Sequence, residues 1–294
     1  MRLAARLKCG RSWFALRTGR GGLTDEGRMH VSSRVIARSR ADGLPSWPYP
    51  RWIAHRGAGR LAPENTLAAF ALGHAHGYRM FECDVRLSAD GVPFLLHDDR
   101  LERTTDGRGE ALGHDWAALA RLDAGAWHAP RHAGERLATL EAVVAFCHAH
   151  GCALNVELKP APGDELRTAR VVGAQLARIW LGAPAPLLSS FSVIALEAAA
   201  VTAPALPRGL LLERFCGDWL ATAQRLGCVA VIGEQSAWNA QWATQARAAG
   251  LRMLAYTVNT DEDAERLLGL GLDGLITDRV DHFSPDGAPG QCLQ

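Results

Sequence analysis

No apolar run in this 294-residue chain approaches the roughly 20 residues that cross a bilayer, so stable membrane insertion is not expected. Seven cysteines (Cys9, Cys83, Cys147, Cys152, Cys216, Cys228, Cys292) form no C-x-x-C pair and no metal-finger spacing. That excludes a structural zinc module, and an odd, scattered set suggests buried thiols in a reducing compartment, with the cytoplasm as default. Secretion through a signal peptide is not expected, because Arg6, Lys8, Arg11, Arg17 and Arg20 interrupt every candidate apolar core near the start. Lysine is the scarcest charge. Of 32 basic residues only Lys8 and Lys159 are lysine. No repeat of 20 to 50 residues appears beyond an alternation of short apolar and longer amphipathic stretches.

What is present fits one large domain. Hydrophobic content of 48% and charged content of 21% are ordinary for a globular protein, and the length accommodates one α/β barrel of about 250 residues with something to spare. The net charge of +1 is unevenly placed: residues 1–46 carry ten Arg or Lys against three Asp or Glu, giving +7 and leaving −6 for the rest. Residues 1–46 therefore read as a basic, disordered or mis-assigned extension from an upstream start, with Met29 an alternative start and structure beginning near Trp47. An organelle leader fits less well. A nucleic-acid arm has only charge behind it, so no nucleic-acid partner is expected. Residues 47–283 form the expected domain and 284–294 a flexible tail. No oligomeric state is specified.

After Pro50 the pattern predicts eight strands at 52–55, 80–84, 153–158, 187–190, 209–212, 229–232, 253–258 and 274–276, with helices between them at 66–76, 140–150, 164–180, 193–200, 219–226, 242–249 and 261–270. This is the rhythm of βα units feeding a closed (β/α)8 TIM barrel. One apolar run, 92–97, is left over. Asp90-Gly91 before it is a two-residue turn signal, so it is expected to fold back as a hairpin that pairs position 84 with position 97. Residues 98–138, with one helix-like piece at 116–122, form a small insertion after the second strand, over the rim where the strands end.

Several apolar runs stop at ionisable residues: Trp52-Ile53-Ala54 at His55, Met80-Phe81 at Glu82, and Pro93-Phe94-Leu95-Leu96 at His97. A buried strand has no use for such groups unless they converge on a ligand, since each unpaired polar group costs roughly 2–7 kcal/mol to bury. Glu82 and Asp84 lie two apart on one strand and so share a face, and Glu157 with Lys159 repeats the spacing on the next. Three carboxylates in one mouth repel unless they share protons or a cation sits among them. With oxygen ligands and no Cys or clustered His, a hard divalent ion, Mg2+ or Ca2+, is favoured over zinc; the structural alternative is a salt-bridge plug. Lys159, one of two lysines, places a point charge at the rim, for a phosphoryl group beside Arg56 or as an aldolase-type Schiff base. His55 and His97, from different strands, can flank a bound ester as base and acid. The nine other histidines are given no role.

His55-Arg56-Gly57, Pro63-Glu64-Asn65-Thr66, Glu82-Cys83-Asp84, His97-Asp98 and Glu157-Leu158-Lys159, followed by Leu188-Ser189-Ser190-Phe191, Tyr256-Thr257-Val258-Asn259 and Asp273-Gly274-Leu275-Ile276-Thr277-Asp278, occur in this order. The ordered set resembles the glycerophosphodiester phosphodiesterase family from about Trp47 to about Val280, in particular its cytoplasmic bacterial members. The resemblance implies one divalent cation held by Glu82, Asp84 and Glu157, acid and base roles for His55 and His97, and phosphate contacts from Arg56 and Lys159. Glu64 and Asn65 would brace the loop after the first strand and meet substrate, a small glycerophosphodiester cleaved to glycerol 3-phosphate and an alcohol. Tyr256 stands where many members carry Trp, and Ile232-Gly233-Glu234 departs from the polar pattern expected there. A barrel phospholipase acting on intact lipid and a non-catalytic phosphate-binding barrel are the rival readings.

Overall fold

The computed structural model describes residues 47–285; the expectation for residues 1–46, and that for the tail beyond residue 285, lie outside the described residues. Nine strands form one sheet: β1 (Trp52–Ala54), β2 (Met80–Leu87), β3 (Pro93–Leu95), β4 (Ala153–Leu158), β5 (Leu187–Ser190), β6 (Arg208–Leu212), β7 (Ala230–Glu234), β8 (Arg252–Tyr256) and β9 (Gly274–Thr277). The order β1-β9-β8-β7-β6-β5-β4-β2 is parallel throughout and closes through β1–β2. That is a (β/α)8 TIM barrel, with β3 added antiparallel outside β2. Closure leaves no free edge in the parallel ring.

Helices α1 (Leu67–Ala75), α3 (Leu140–His150), α4 (Glu165–Ile179), α5 (Val193–Thr202), α6 (Trp219–Arg225), α7 (Ala240–Ala248) and α8 (Asp261–Gly269) connect the strands, with a short α2 (Trp116–Leu119) in the insertion. Their starts are written locally. Thr66, Thr139, Ser192, Asn239 and Thr260 each accept a backbone N–H from the first turn of the helix that follows, worth about 1 kcal/mol apiece. Asn239 starts α7 two residues before the expected position. The barrel interior is filled by Ile53, Met80, Leu187, Ile232, Leu254 and Ile276 with Tyr49, and the insertion has a cluster of its own around Phe94, Leu96, Leu101, Leu119 and Leu137.

The hairpin forms, in a register one residue away from the expected one. Val85 pairs with Leu95, Arg86 with Phe94 and Leu87 with Pro93, and Leu96 N–H donates to the Asp84 carbonyl at 3.1 Å, so Leu96 rather than His97 stands opposite position 84. The loop holds three residues, not two. Gly91 N–H closes a turn on the Ser88 carbonyl at 3.0 Å and Gly91 takes φ +86°, the turn-plus-left-handed-residue solution that adds one position to a hairpin.

Candidate active site

Strand register assembles the rim. Ala54 pairs with Phe81 on one side and Thr277 on the other, which sets His55 level with Glu82 and Asp278. Glu82 pairs with Asn155 and Asp84 with Glu157, so two acids face each other across neighbouring strands, an arrangement that repels unless neutralised. The carboxylates of Glu82, Asp84 and Glu157 all lie within 4.8 Å of one another, and all three residues are buried.

Each carboxylate is treated differently by its surroundings. Burial would raise Asp84, but Arg56, Lys159 and His97, with a hydrogen bond from Asn65, outweigh it and hold the group at about 2. Arg56 Nε lies 3.2 Å and Lys159 Nζ 3.7 Å from Asp84. Burial and then the charge of Asp84 push Glu157 up to about 7, against the Lys159 ammonium 3.1 Å from its Oε1. Glu82 is raised well above the carboxylate range by burial first, then by Asp84 and Glu157. Its Oε2 accepts the Arg56 N–H at 3.2 Å, while its buried Oε1 has no hydrogen-bond partner. An orphaned carboxylate oxygen in an all-oxygen cluster is what a hard divalent cation satisfies, so these residues fit one.

Above the triad stand two imidazoles, each anchored by a carboxylate. His55 Nδ1 lies 2.6 Å from Asp278 Oδ1, and His97 Nδ1 lies 2.7 Å from Asp98 Oδ1. Nδ1–H in both is the tautomer that a carboxylate partner selects, leaving Nε2 free to exchange protons; His55 Nε2 lies 3.8 Å from Glu82 Oε2. Burial lowers His97, outweighing the nearby Asp84. Asp278 is itself fixed: its Oδ2 accepts from Asn259 Nδ2 at 3.0 Å and its N–H donates to Asn259 Oδ1 at 2.9 Å. Gly59, at φ +55°, lets the chain pass so close to the Asp278 backbone that a Cβ would collide with it.

The loop after β1 is strained for this purpose. Arg56 and Asn65 both adopt left-handed backbone, φ +51° and +61°, at roughly 1–2 kcal/mol for a residue with a Cβ. Asn65 is buried and spends its side chain on β2: Nδ2 donates to Asp84 Oδ2 at 2.9 Å and Oδ1 accepts the Asp84 N–H at 3.2 Å. Glu64 has both oxygens engaged, by Arg56 Nη1 at 2.8 Å and by Arg103 Nη1 and Nη2 at 2.8 Å each.

His55, Arg56, His97, Glu157 and Lys159 line one cavity of about 860 Å³, and the buried Glu82 and Asp84 bring carboxylate oxygens within 4.8 Å of Glu157. Sequence reasoning gave no role to three residues that hold this geometry: Asp278, Asp98 and Arg86. Arg86 is buried and donates to the carbonyls of Leu96 at 3.2 Å, His97 at 2.7 Å and Lys159 at 3.1 Å, and to Asp99 Oδ1 at 2.6 Å. It ties the end of the hairpin to the end of β4. The sequence carried no signal for it, because the strand expected at 80–84 ends before Arg86, whereas β2 runs on to Leu87.

A parallel barrel whose mouth sets two carboxylate-anchored imidazoles and two cations over an acidic triad defines a phosphodiesterase of the barrel class. The profile of the glycerophosphoryl diester phosphodiesterase family matches residues 55–282. The chain belongs to that family. It is 34% identical over 238 residues to YhdW of Bacillus subtilis, covering 80% of this chain and 97% of that protein. It is 30% identical over 233 residues to a glycerophosphodiester phosphodiesterase of Caldanaerobacter subterraneus, covering 77% and 93% of the two chains. Among solved structures, an Oleispira antarctica phosphodiesterase in complex with the product sn-glycerol-3-phosphate superposes with a TM-score of 0.76 at 36% identity, covering 78% of this chain and 93% of that one. No helix among the described residues is long and apolar enough to cross a membrane.

Proposed function

We propose that this phosphodiesterase hydrolyses small glycerophosphodiesters to glycerol 3-phosphate and an alcohol, in the cytoplasm, using one divalent cation, Mg2+ or Ca2+, held by Glu82, Asp84 and Glu157. The observation that carries the reading is the pair of Nδ1-anchored imidazoles over a triad with an unsatisfied buried oxygen. When bound, the cation supplies positive charge against the phosphoryl oxygens as negative charge builds on them.

The rest is the work of this chain. Arg56 and Lys159 bind non-bridging oxygens, and their pairing with Asp84 and Glu157 keeps both heads at the rim. One imidazole accepts at Nε2 the proton of the glycerol hydroxyl next to the ester, so that this oxygen attacks phosphorus. The other donates from Nε2 to the departing alcohol oxygen. The cyclic phosphate that results is opened by water with the two roles exchanged. Asp278 and Asp98 steady the imidazolium that forms on each side.

A coupled assay for glycerol 3-phosphate release from glycerophosphocholine, run with divalent cation and then with chelator, tests the reading. Release abolished by chelation supports it; release that survives chelation removes the cation, and no release removes the reaction. His55→Ala and His97→Ala should each lower kcat by about 10² or more.

A further inference from the structure

Across the barrel from the acidic triad, the mouth is walled by groups that phosphoryl chemistry does not require. In the closed strand order, β8 stands opposite β4 and β7 opposite β2. Leu212 pairs with Gly233 and Glu234 with Tyr256, so Glu213, Glu234 and Tyr256 occupy one level at the carboxyl ends of three successive strands, β6 to β8. All three line the cavity that contains His55 and His97.

Tyr256 Oη donates to the Leu212 carbonyl at 3.2 Å, which commits the hydroxyl to the backbone and leaves the ring as cavity surface. Phe191, on the same cavity wall, meets it edge to face, with centroids 5.9 Å apart at 86°. The Glu234 carboxylate is fixed by Ser236, whose N–H and Oγ lie 2.8 Å and 2.5 Å from Oε2. Among the described residues no basic side chain pairs with Glu213 or Glu234. Arg214 lines the same wall, so two negative charges stand against one positive.

Two aromatic rings with two carboxylates that form no salt bridge among the described residues make a surface for an alkylammonium cation, through ring and charge together. A neutral polyol can hydrogen-bond there but gains no charge attraction, and an anionic alcohol would meet the net negative charge. We propose that this wall is the head-group subsite, and that the preferred diesters are those whose alcohol carries an ammonium group; the proposal rests on the phosphodiesterase reading of the rim. It also gives a role to Glu234, the acid in the stretch that departs from the family pattern.

The test is the ratio of kcat/KM for glycerophosphocholine to kcat/KM for glycerophosphoglycerol, whose alcohol is uncharged. The ratio should favour choline by about tenfold in the unaltered protein, the scale of a few-fold from each rim carboxylate together with a ring contact. It should fall toward one in E213Q/E234Q and fall separately in Y256L, with release from the neutral diester showing that each variant is folded. A ratio near or below one in the unaltered protein, or unchanged in the double variant while glycerol 3-phosphate is still released, overturns the subsite and spares the reaction. Release from neither diester by the unaltered protein overturns both.

Discussion

Replacing Asp278 by Asn exchanges one carboxylate oxygen for an amide nitrogen, and the surrounding hydrogen bonds decide where that nitrogen goes. Asn259 Oδ1 is held by the N–H of residue 278 at 2.9 Å, which turns Asn259 Nδ2 toward the side chain at 278. The new amide keeps its oxygen on that donor and presents its NH2 to His55 Nδ1. An NH2 group only donates, so His55 must hold its proton at Nε2, where it blocks proton acceptance; the protonated ring would meet a donor instead of the anion 2.6 Å away. The expected loss is about 10²–10⁴ in kcat with KM nearly unchanged, since Asp278 acts through His55. Asp278→Ala, which admits water as an acceptor for Nδ1–H, should lose less than the Asn variant. Stability follows the same carboxyl. Burial raises it, the His55 hydrogen bond and charge lower it further, and it settles at about 2 against an ordinary 3.8. A depressed carboxyl stabilises the fold by roughly 2 kcal/mol, fully above about pH 4 and progressively less as pH falls toward 2. The melting-temperature gap between the two proteins should therefore be clear at pH 7 and close between pH 4 and 2. The measurements are steady-state glycerol 3-phosphate release and thermal melts by circular dichroism. A kcat within threefold of the unaltered protein, a loss confined to KM, or a gap that persists at the acid end would refute the argument.

Three further outcomes are expected. Mg2+ or Ca2+ added to chelator-treated protein should raise the melting temperature progressively with the logarithm of its concentration, by about 2.7 kcal/mol of stability at a hundredfold excess over Kd; Glu157→Gln should abolish that rise while making the metal-free protein slightly more stable, and a melt insensitive to both cations would dismiss the site. Arg86→Met strands the carbonyls of Leu96, His97 and Lys159 without their shared donor and should cost about 3 kcal/mol together with most of kcat, whereas an active, stable variant would show that the clamp is dispensable. Asn65→Ala loses two hydrogen bonds to Asp84 and keeps an unfavourable backbone, for a cost of about 3 kcal/mol, and Asn65→Gly should recover roughly 1–2 kcal/mol of it; equal denaturation midpoints for the pair would deny the backbone contribution.

What the sequence could announce was local. Alternation fixes that Glu82 and Asp84 share a face, and Thr66, Thr139, Ser192 and Thr260 mark helix starts because a cap acts within three residues. A closed barrel makes the first and last parallel strands neighbours, but the pairing of His55 with Asp278, 223 residues apart, also needs the β1–β9 register, Ala54 opposite Thr277, which the sequence does not display. Arg86 was hidden for a related reason. Its role depends on β2 running on past Asp84 into a hairpin, so that one guanidinium meets three chain segments at once. The one-residue slip in that hairpin is instructive because a slip normally turns a side chain to the opposite face, yet His97 still lines the cavity. The explanation is that β3 ends at Leu95, so strand alternation no longer governs position 97. Arg86 instead grips the His97 carbonyl, while Arg103, 2.6 Å from Asp98 Oδ2 and 2.8 Å from Glu64, holds Asp98 against the ring. Aim here is set by tethers rather than by the sheet, and tethers of that length are what a single sequence does not display.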